Sequence, residues 1–241
     1  MKLSAPVLTG RRQLALIAAL LVGMLAGPGL ANGGALDAIS NKDAAGGLRA
    51  ALGKGIDTAV AQLGAPGGFL DNEKLRIPLP PALEKADRAL RMVGMSGEAD
   101  ELKVAMNHAA ESAMSEAKPI LAGSLRKMSI SDAKGILTGG DDAATQYFRR
   151  TSSDSLREKM KPIVSRATAR AKLGAIYDRY AGKAAEFGLV SGDAVHLDDF
   201  VTGKALDGLF SVIAEEEHSI RQDPVAAGSA LIKKVFSSLE R

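Results

Sequence analysis

Hydrophobic residues recur at spacings of three and four along most of the chain, which is the pattern of helices that bury one face. The clearest stripe follows Ser40 and consists of Leu48, Leu52, Ile56, Val60 and Leu63. Similar stripes predict further helices that start near residues 81, 96, 129, 141, 153 and 223, with one more around Phe200. No stretch alternates hydrophobic and polar residues over the length of a strand. The sequence therefore predicts an all-α fold, a single-domain multi-helix bundle of eight to ten helices.

Residues 66–81 interrupt this pattern. Pro78, Pro80 and Pro81 exclude a helix before the last of them, because proline lacks an amide hydrogen and restrains the residue that precedes it. We therefore expect one proline-rich extended arm here, with Pro81 opening the next helix.

The first residues have a different character. Basic residues without any acidic neighbour precede an apolar stretch of thirteen residues (14–26), and small residues follow as far as Ala31. This order predicts a cleavable signal peptide over 1–31 and a single all-α domain over 32–241. A membrane anchor is the alternative, but thirteen helical residues rise only about 20 Å, against a hydrocarbon core of about 30 Å. No transmembrane segment is predicted in the mature chain.

The predicted localisation is periplasmic, with cleavage near Ala31. Arg11 and Arg12 also resemble a twin-arginine signal, so Sec and twin-arginine export both remain open. The chain has no Cys, which excludes lipid anchoring through a modified Cys and leaves burial alone to stabilise the fold.

The charge of the mature chain is balanced but polarised. The full chain has 31 Lys and Arg against 28 Asp and Glu, and the leader holds three of the basic residues and none of the acidic ones. General nucleic-acid binding therefore loses its main support. Residues 149–172 carry a net charge of +6, and residues 193–217 carry −6. Either two helices pair through these blocks, or a basic face binds anionic envelope polymers or lipid headgroups while an acidic face binds a cation or a basic partner.

The corner at residues 139–142 is the first candidate site. Gly139 and Gly140 would let a ligand approach the backbone, and a helix beginning at Asp141 would present its N–H groups to an anion. The candidate ligand-binding residues of this region are Asp141, Asp142, Arg149 and Arg150. The alternative is a plain helix corner in which Asp141 is the N-cap. Upstream, Ser129 with Asp132 three residues later predicts a capping box.

A run of acidic residues followed by a histidine is the second candidate. Glu215 and His218 have the spacing of a metal half-site in a helical bundle, and His108 and Glu111 have it in reverse order. A complete site needs more ligands than this, so Glu215 and His218 are weak metal candidates and no cofactor is predicted. The alternative is a solvated helix end.

Three further polar residues complete the set of ligand-binding candidates. Asn107 and Glu111 share a helix face with Lys103, and Glu216 lies within the acidic run. The alternative interpretation is that these residues lie on a helix surface that simply faces solvent.

Several strings resemble a family of exported bacterial proteins, the domain of unknown function 4197 family. They include RIPLPPALEKA (76–86), DAKGILTGGDDAATQYFRR (132–150) and DPVAAGSALIKKVF (223–236). The resemblance covers nearly the whole mature chain. It implies a helical, exported protein typical of Gram-negative bacteria, and it implies no activity.

The leading functional hypothesis is a non-enzymatic binding or interaction protein of the cell envelope, with an unknown envelope protein, polymer or lipid as its partner. One alternative is a metal-assisted or carboxylate-based hydrolase in which Glu215, His218, Asp141 and Arg149 meet in one cleft. Another is an apolar ligand or lipid carrier. A Gly-x-Ser-x-Gly elbow is absent, and zinc and thiol chemistries lack their usual ligands.

Overall fold

The computed structural model describes residues 41–92, 94, 97–186 and 196–223, and within them every regular element is a helix. The elements are α1 (Asn41–Gly64), α2 (Pro81–Met92), α3 (Gly97–Ala113), a 3₁₀ turn (Met114–Glu116), α4 (Ala117–Lys127), α5 (Ile130–Leu137), α6 (Ala143–Arg170), α7 (Leu173–Glu186) and α8 (Leu197–Gln222). The predicted all-α class is confirmed. The predicted total of eight to ten helices, the leader and the helix after Asp223 involve residues outside these ranges and stay predictions.

The core lies where α6 and α8 pack along each other, with α3 against α6 and α1 against α8. The predicted stripe of α1 faces this core: Leu48, Leu52, Ile56 and Leu63 are buried, and Val60 is partly buried. Residues four apart project from the same side of a helix, so one stripe is enough to anchor α1.

Helix α6 is longer than the sequence predicted. Its 28 residues run through Ser153, where a new helix was expected, so that boundary is wrong. The hydroxyl groups near this position bond within the helix: Thr151 Oγ1 donates to the carbonyl of Tyr147 at 2.8 Å, and Ser153 Oγ donates to that of Arg149 at 2.6 Å. Ser152 is buried and shares a hydrogen bond with Ser124 of α4.

Residues 65–80 contain no helix and fall into two parts. The first is a series of turns, with Gly67 in the left-handed region at φ 81° and Phe69 fully buried. The second, residues 76–80, has no regular structure and leads into α2. Phe69 packs so closely on α8 that a Cβ added to Gly208 would lie 2.6 Å from its Cε1.

This contact predicts opposite effects for two glycines of α8. Gly208→Ala should lower the free energy of unfolding by about 1–2 kcal/mol, because overpacking costs more than the helix propensity that alanine restores. Gly203→Ala is the matched control: apart from its chain neighbours and the nearby backbone of α8, no described atom lies within 4 Å of its added Cβ, so the same change should stabilise the protein. Urea unfolding of both variants checks the pair, and equal shifts in one direction would contradict it.

Candidate functional site

Helix α5, which leads into the corner at residues 138–142, begins as the sequence predicted. Ser129 Oγ accepts the backbone N–H of Asp132 at 3.0 Å, and the Asp132 carboxylate accepts that of Ser129 at 2.9 Å, which confirms the capping box. The start of α6 differs from the prediction. The N-cap position belongs to Asp142 rather than Asp141, and the Asp142 side chain makes no capping bond. It accepts a hydrogen bond from Gln146 instead.

The cap of α6 comes from a distant residue, Glu217 of α8. One of its carboxylate oxygens accepts the backbone N–H of Ala144 at 2.9 Å, and the other accepts both the N–H and the hydroxyl of Thr145 at 2.8 Å. Glu217 is only 3% exposed. The first-turn N–H groups of Ala144 and Thr145, which the sequence suggested for an external anion, therefore bind an internal carboxylate.

Arg221 neutralises this buried carboxylate. Its Nη2 lies 2.8 Å from Glu217 Oε1 and also donates to the carbonyl of Ile136, near the end of α5, at 2.9 Å. A carboxylate so far from water is stable only with such a partner and a full set of hydrogen bonds. The Glu217–Arg221 pair thus fastens α5, α6 and α8 together.

The two arginines predicted to serve the corner lie against aromatic rings. The guanidinium of Arg149 is 4.6 Å from the centre of the Phe210 ring, and that of Arg150 is 5.9 Å from the centre of the Tyr147 ring. Both distances suit cation–π contacts. Arg149 therefore packs against α8, and Arg150 packs against its own helix.

Asn107 is fully buried, not solvated as the alternative had it. Its Oδ1 accepts the N–H of Ile77 at 2.8 Å, and its Nδ2 donates to the carbonyls of Ile77 at 3.0 Å and Lys103 at 2.8 Å. The Asn107 amide thus supplies the two hydrogen bonds that a neighbouring strand would otherwise make to the backbone of Ile77. It attaches the proline-rich segment to α3.

Glu111 performs a similar task one turn further along α3. Its Oε1 accepts the N–H groups of Phe69 and Leu70, both at 3.2 Å, while its Oε2 lies 2.8 Å from His108 Nδ1. The Glu111 side chain is 6% exposed and the His108 side chain 52% exposed. A buried carboxylate thus orients an accessible imidazole, as in the base of a serine hydrolase. However, the nearby Ser112 Oγ is bonded to the backbone carbonyl of His108, and among the described residues no hydroxyl is bonded to the imidazole ring.

The residues of the acidic run of α8 and the histidine that follows differ in their exposure to solvent. Glu215 and His218 are exposed, and His218 Nε2 faces Gln222 at 2.8 Å. Glu216 is partly buried; burial and the charge of Glu215 raise its pKa, against the opposing effect of Lys54. Within the described ranges, no group of three or more potential metal ligands occurs.

The structure does not bring the hydrolase candidates together. In the described part of the chain, no hydrogen bond or ion pair joins any two of Asp141, Arg149, Glu215 and His218. Asn107 and Glu216 also belong to different surroundings, one beneath the proline-rich segment and the other beside α1.

The two charged blocks lie on helices that pack along each other, but their described residues form few ion pairs. All eight basic residues of 149–172 are exposed. Across the described residues, Lys161–Asp199 at 2.6 Å is the single ion pair between the blocks. Lys159 pairs with Glu158 of its own block at 3.7 Å. Most of the basic charge of α6 therefore faces solvent without a carboxylate partner.

Sequence reasoning missed a polar cluster that joins α2, α3 and α7. Asp87 is buried and accepts hydrogen bonds from Arg91 and Lys103, each at 3.0 Å, with the Tyr180 hydroxyl at 3.5 Å. Burial raises the pKa of the Asp87 carboxyl, but the hydrogen bonds and charges of Arg91 and Lys103 outweigh it, so the net shift is downward. Only the four-residue spacing of Asp87 and Arg91 signalled this cluster in the sequence.

Comparison with known proteins places this helical architecture in a family. The model of the family described as protein of unknown function (DUF4197) matches residues 38–237. The chain belongs to this family. The match confirms the resemblance and spans both the proline-rich segment and the Gly139 corner. No curated protein and no solved structure matches the chain.

None of the helices in the described ranges combines the length and the apolar character of a membrane span.

Proposed function

We propose that the protein is exported to the periplasm and acts there without catalysis, binding an anionic lipid surface of the cell envelope through α6. The observation that supports this is the exposure of all eight basic residues between 149 and 172, with one ion pair to the acidic block in the described structure. Each Lys or Arg near an anionic bilayer contributes about 1 kcal/mol of attraction.

Two acidic residues of α8 support the same interpretation, because their carboxylates bind groups other than the basic side chains of α6. The Glu217 carboxylate is ion-paired with Arg221 and accepts hydrogen bonds from the start of α6. Asp198 accepts a hydrogen bond from the Thr168 hydroxyl at 2.7 Å. Helix α8 therefore leaves most of the basic charge of α6 available to an external partner.

The export part of the proposal rests on the signal-peptide pattern of residues 1–31. The full chain, expressed in a Gram-negative host, should be recovered from the periplasmic fraction with Asn32 as its first residue. Intact-mass measurement of the purified protein checks the cleavage. Recovery from the cytosol with the first 31 residues attached would overturn this part of the proposal.

The binding part predicts a charge effect that depends on position. Replacing Arg157, Arg166 and Arg170 together by Gln should weaken binding to vesicles that contain phosphatidylglycerol by about a hundredfold, at about 1 kcal/mol for each charge. Cosedimentation at two salt concentrations measures the affinity, which should fall as salt rises.

The matched control changes net charge equally but elsewhere. Lys85, Arg88 and Lys127 are exposed residues of α2 and α4, and their joint replacement by Gln should leave vesicle binding close to that of the parent protein. Equal losses in the two triple variants would show an effect of net charge alone. That outcome, or equal binding to vesicles of pure phosphatidylcholine, would refute the role of α6.

A further inference from the structure

A groove of about 500 Å³ runs between α3, the end of α6 and the start of α7. Its volume falls within the range of small-molecule sites, about 300–1,000 Å³. We call it the α3 groove, and its apolar floor consists of Val104, Ala105, Ala109, Ala167, Ala171 and Ile176. Val104 is 39% exposed, which makes it one of the few large apolar side chains that the described surface leaves in contact with water.

The charged lining of the α3 groove is asymmetric. Its one carboxylate, Glu101, is ion-paired to Arg179 at 3.4 Å. Arg170 is exposed, and no described carboxylate forms an ion pair with it. His108 also lines the groove, with its Nδ1 held by Glu111. The groove therefore combines a partly exposed apolar lining, in which Val104 and Ala171 are the exposed members, with a cation at its edge that no described carboxylate pairs with.

We propose that the α3 groove binds a single-chain amphiphile with an anionic head group, such as a long-chain carboxylate. Arg170 receives the head group, because a guanidinium matches the two oxygens of a carboxylate. The hydrocarbon chain covers the exposed side chains of Val104 and Ala171 and the partly exposed Ala105 and Ala167. This inference rests on the proposed function, because Arg170 belongs to the basic residues of α6, and it names the class of lipid that this helix recognises.

Two quantities distinguish such a site from general electrostatic attraction. The affinity should rise about fourfold for each methylene that the floor covers. It should also require the head-group charge, because the cation at the edge would repel a positive amphiphile of equal length.

The experiment is a calorimetric titration of the purified protein, expressed as the full chain, with octanoate, decanoate and dodecanoate below their micelle concentrations. Acetate and dodecyltrimethylammonium serve as control ligands. Affinity should increase from octanoate to dodecanoate, and neither control should bind. Arg170→Gln should weaken dodecanoate binding about tenfold, and Val104→Ser should also weaken it.

Arg88→Gln is the matched control variant, since Arg88 is exposed on α2 and lies outside both the groove and the basic residues of α6. Its affinity for dodecanoate should equal that of the parent protein. Circular dichroism confirms that each variant is folded. Absence of dodecanoate binding, or equal losses in Arg88→Gln and Arg170→Gln, would overturn the inference.

The failure of this inference differs from failure of the proposed function. Retained vesicle binding without any dodecanoate binding would remove the groove and leave the basic surface of α6 intact. If the protein neither prefers vesicles that contain phosphatidylglycerol nor binds dodecanoate, the proposed function is refuted as well.

Discussion

Replacing Glu217 by Gln is expected to lower the free energy of unfolding by about 3 kcal/mol, because it removes one partner of a buried ion pair. The amide would leave the charge of Arg221 uncompensated. It would also present an NH₂ group to one of the two N–H donors, Ala144 or Thr145, which now bind separate carboxylate oxygens at 2.9 and 2.8 Å. Urea unfolding followed by circular dichroism measures the loss.

Glu215→Gln is the matched control, because it makes the same chemical change two residues away on the same helix, at an exposed position. Its effect should stay within about 0.5 kcal/mol, as is usual for surface substitutions. Similar stability of the two variants would show that the Glu217 carboxylate is not needed at the start of α6.

Replacing Asn107 by Ala should lower the free energy of unfolding by about 2–4 kcal/mol, because it leaves the buried N–H and carbonyl of Ile77 without partners. The damage should be local at first. Residues 66–81 should become sensitive to proteases at urea concentrations that leave the helices folded, and the Ile77 amide should lose its protection from hydrogen exchange.

The control for Asn107 is Ser112→Ala on the same helix. The Ser112 hydroxyl is exposed and bonds only to the carbonyl of His108 in its own helix, so the change should cost less than about 0.5 kcal/mol. Unchanged protease resistance of Asn107→Ala would mean that other contacts hold the proline-rich segment in place.

Features encoded by local spacing were predictable from the sequence. The stripe of α1 and the Ser129 capping box depend on residues three or four apart, and both are present in the structure. The predicted helix start at Ser153 failed for a reason that is also local. Serine and threonine favour helix ends, but inside α6 their hydroxyls bond to carbonyls one turn earlier.

The polar residues of the candidate site were not predictable in this way, because their partners are far away in the sequence. Glu217 was grouped with its neighbours as part of an acidic run, whereas its partner Ala144 is 73 positions away. Asn107 bonds to a residue 30 positions away. Spacing along one helix shows which side chains share a face, but it does not show what that face will meet.

The position of Glu217 in the chain also affects the order in which the protein can fold. A ribosome adds about 5–20 residues each second, so the 73 positions that separate Ala144 from Glu217 take roughly 4–15 s to synthesise. Until then the first turn of α6 lacks its acceptor. The native start of the longest described helix therefore cannot form until 217 of the 241 residues have been synthesised.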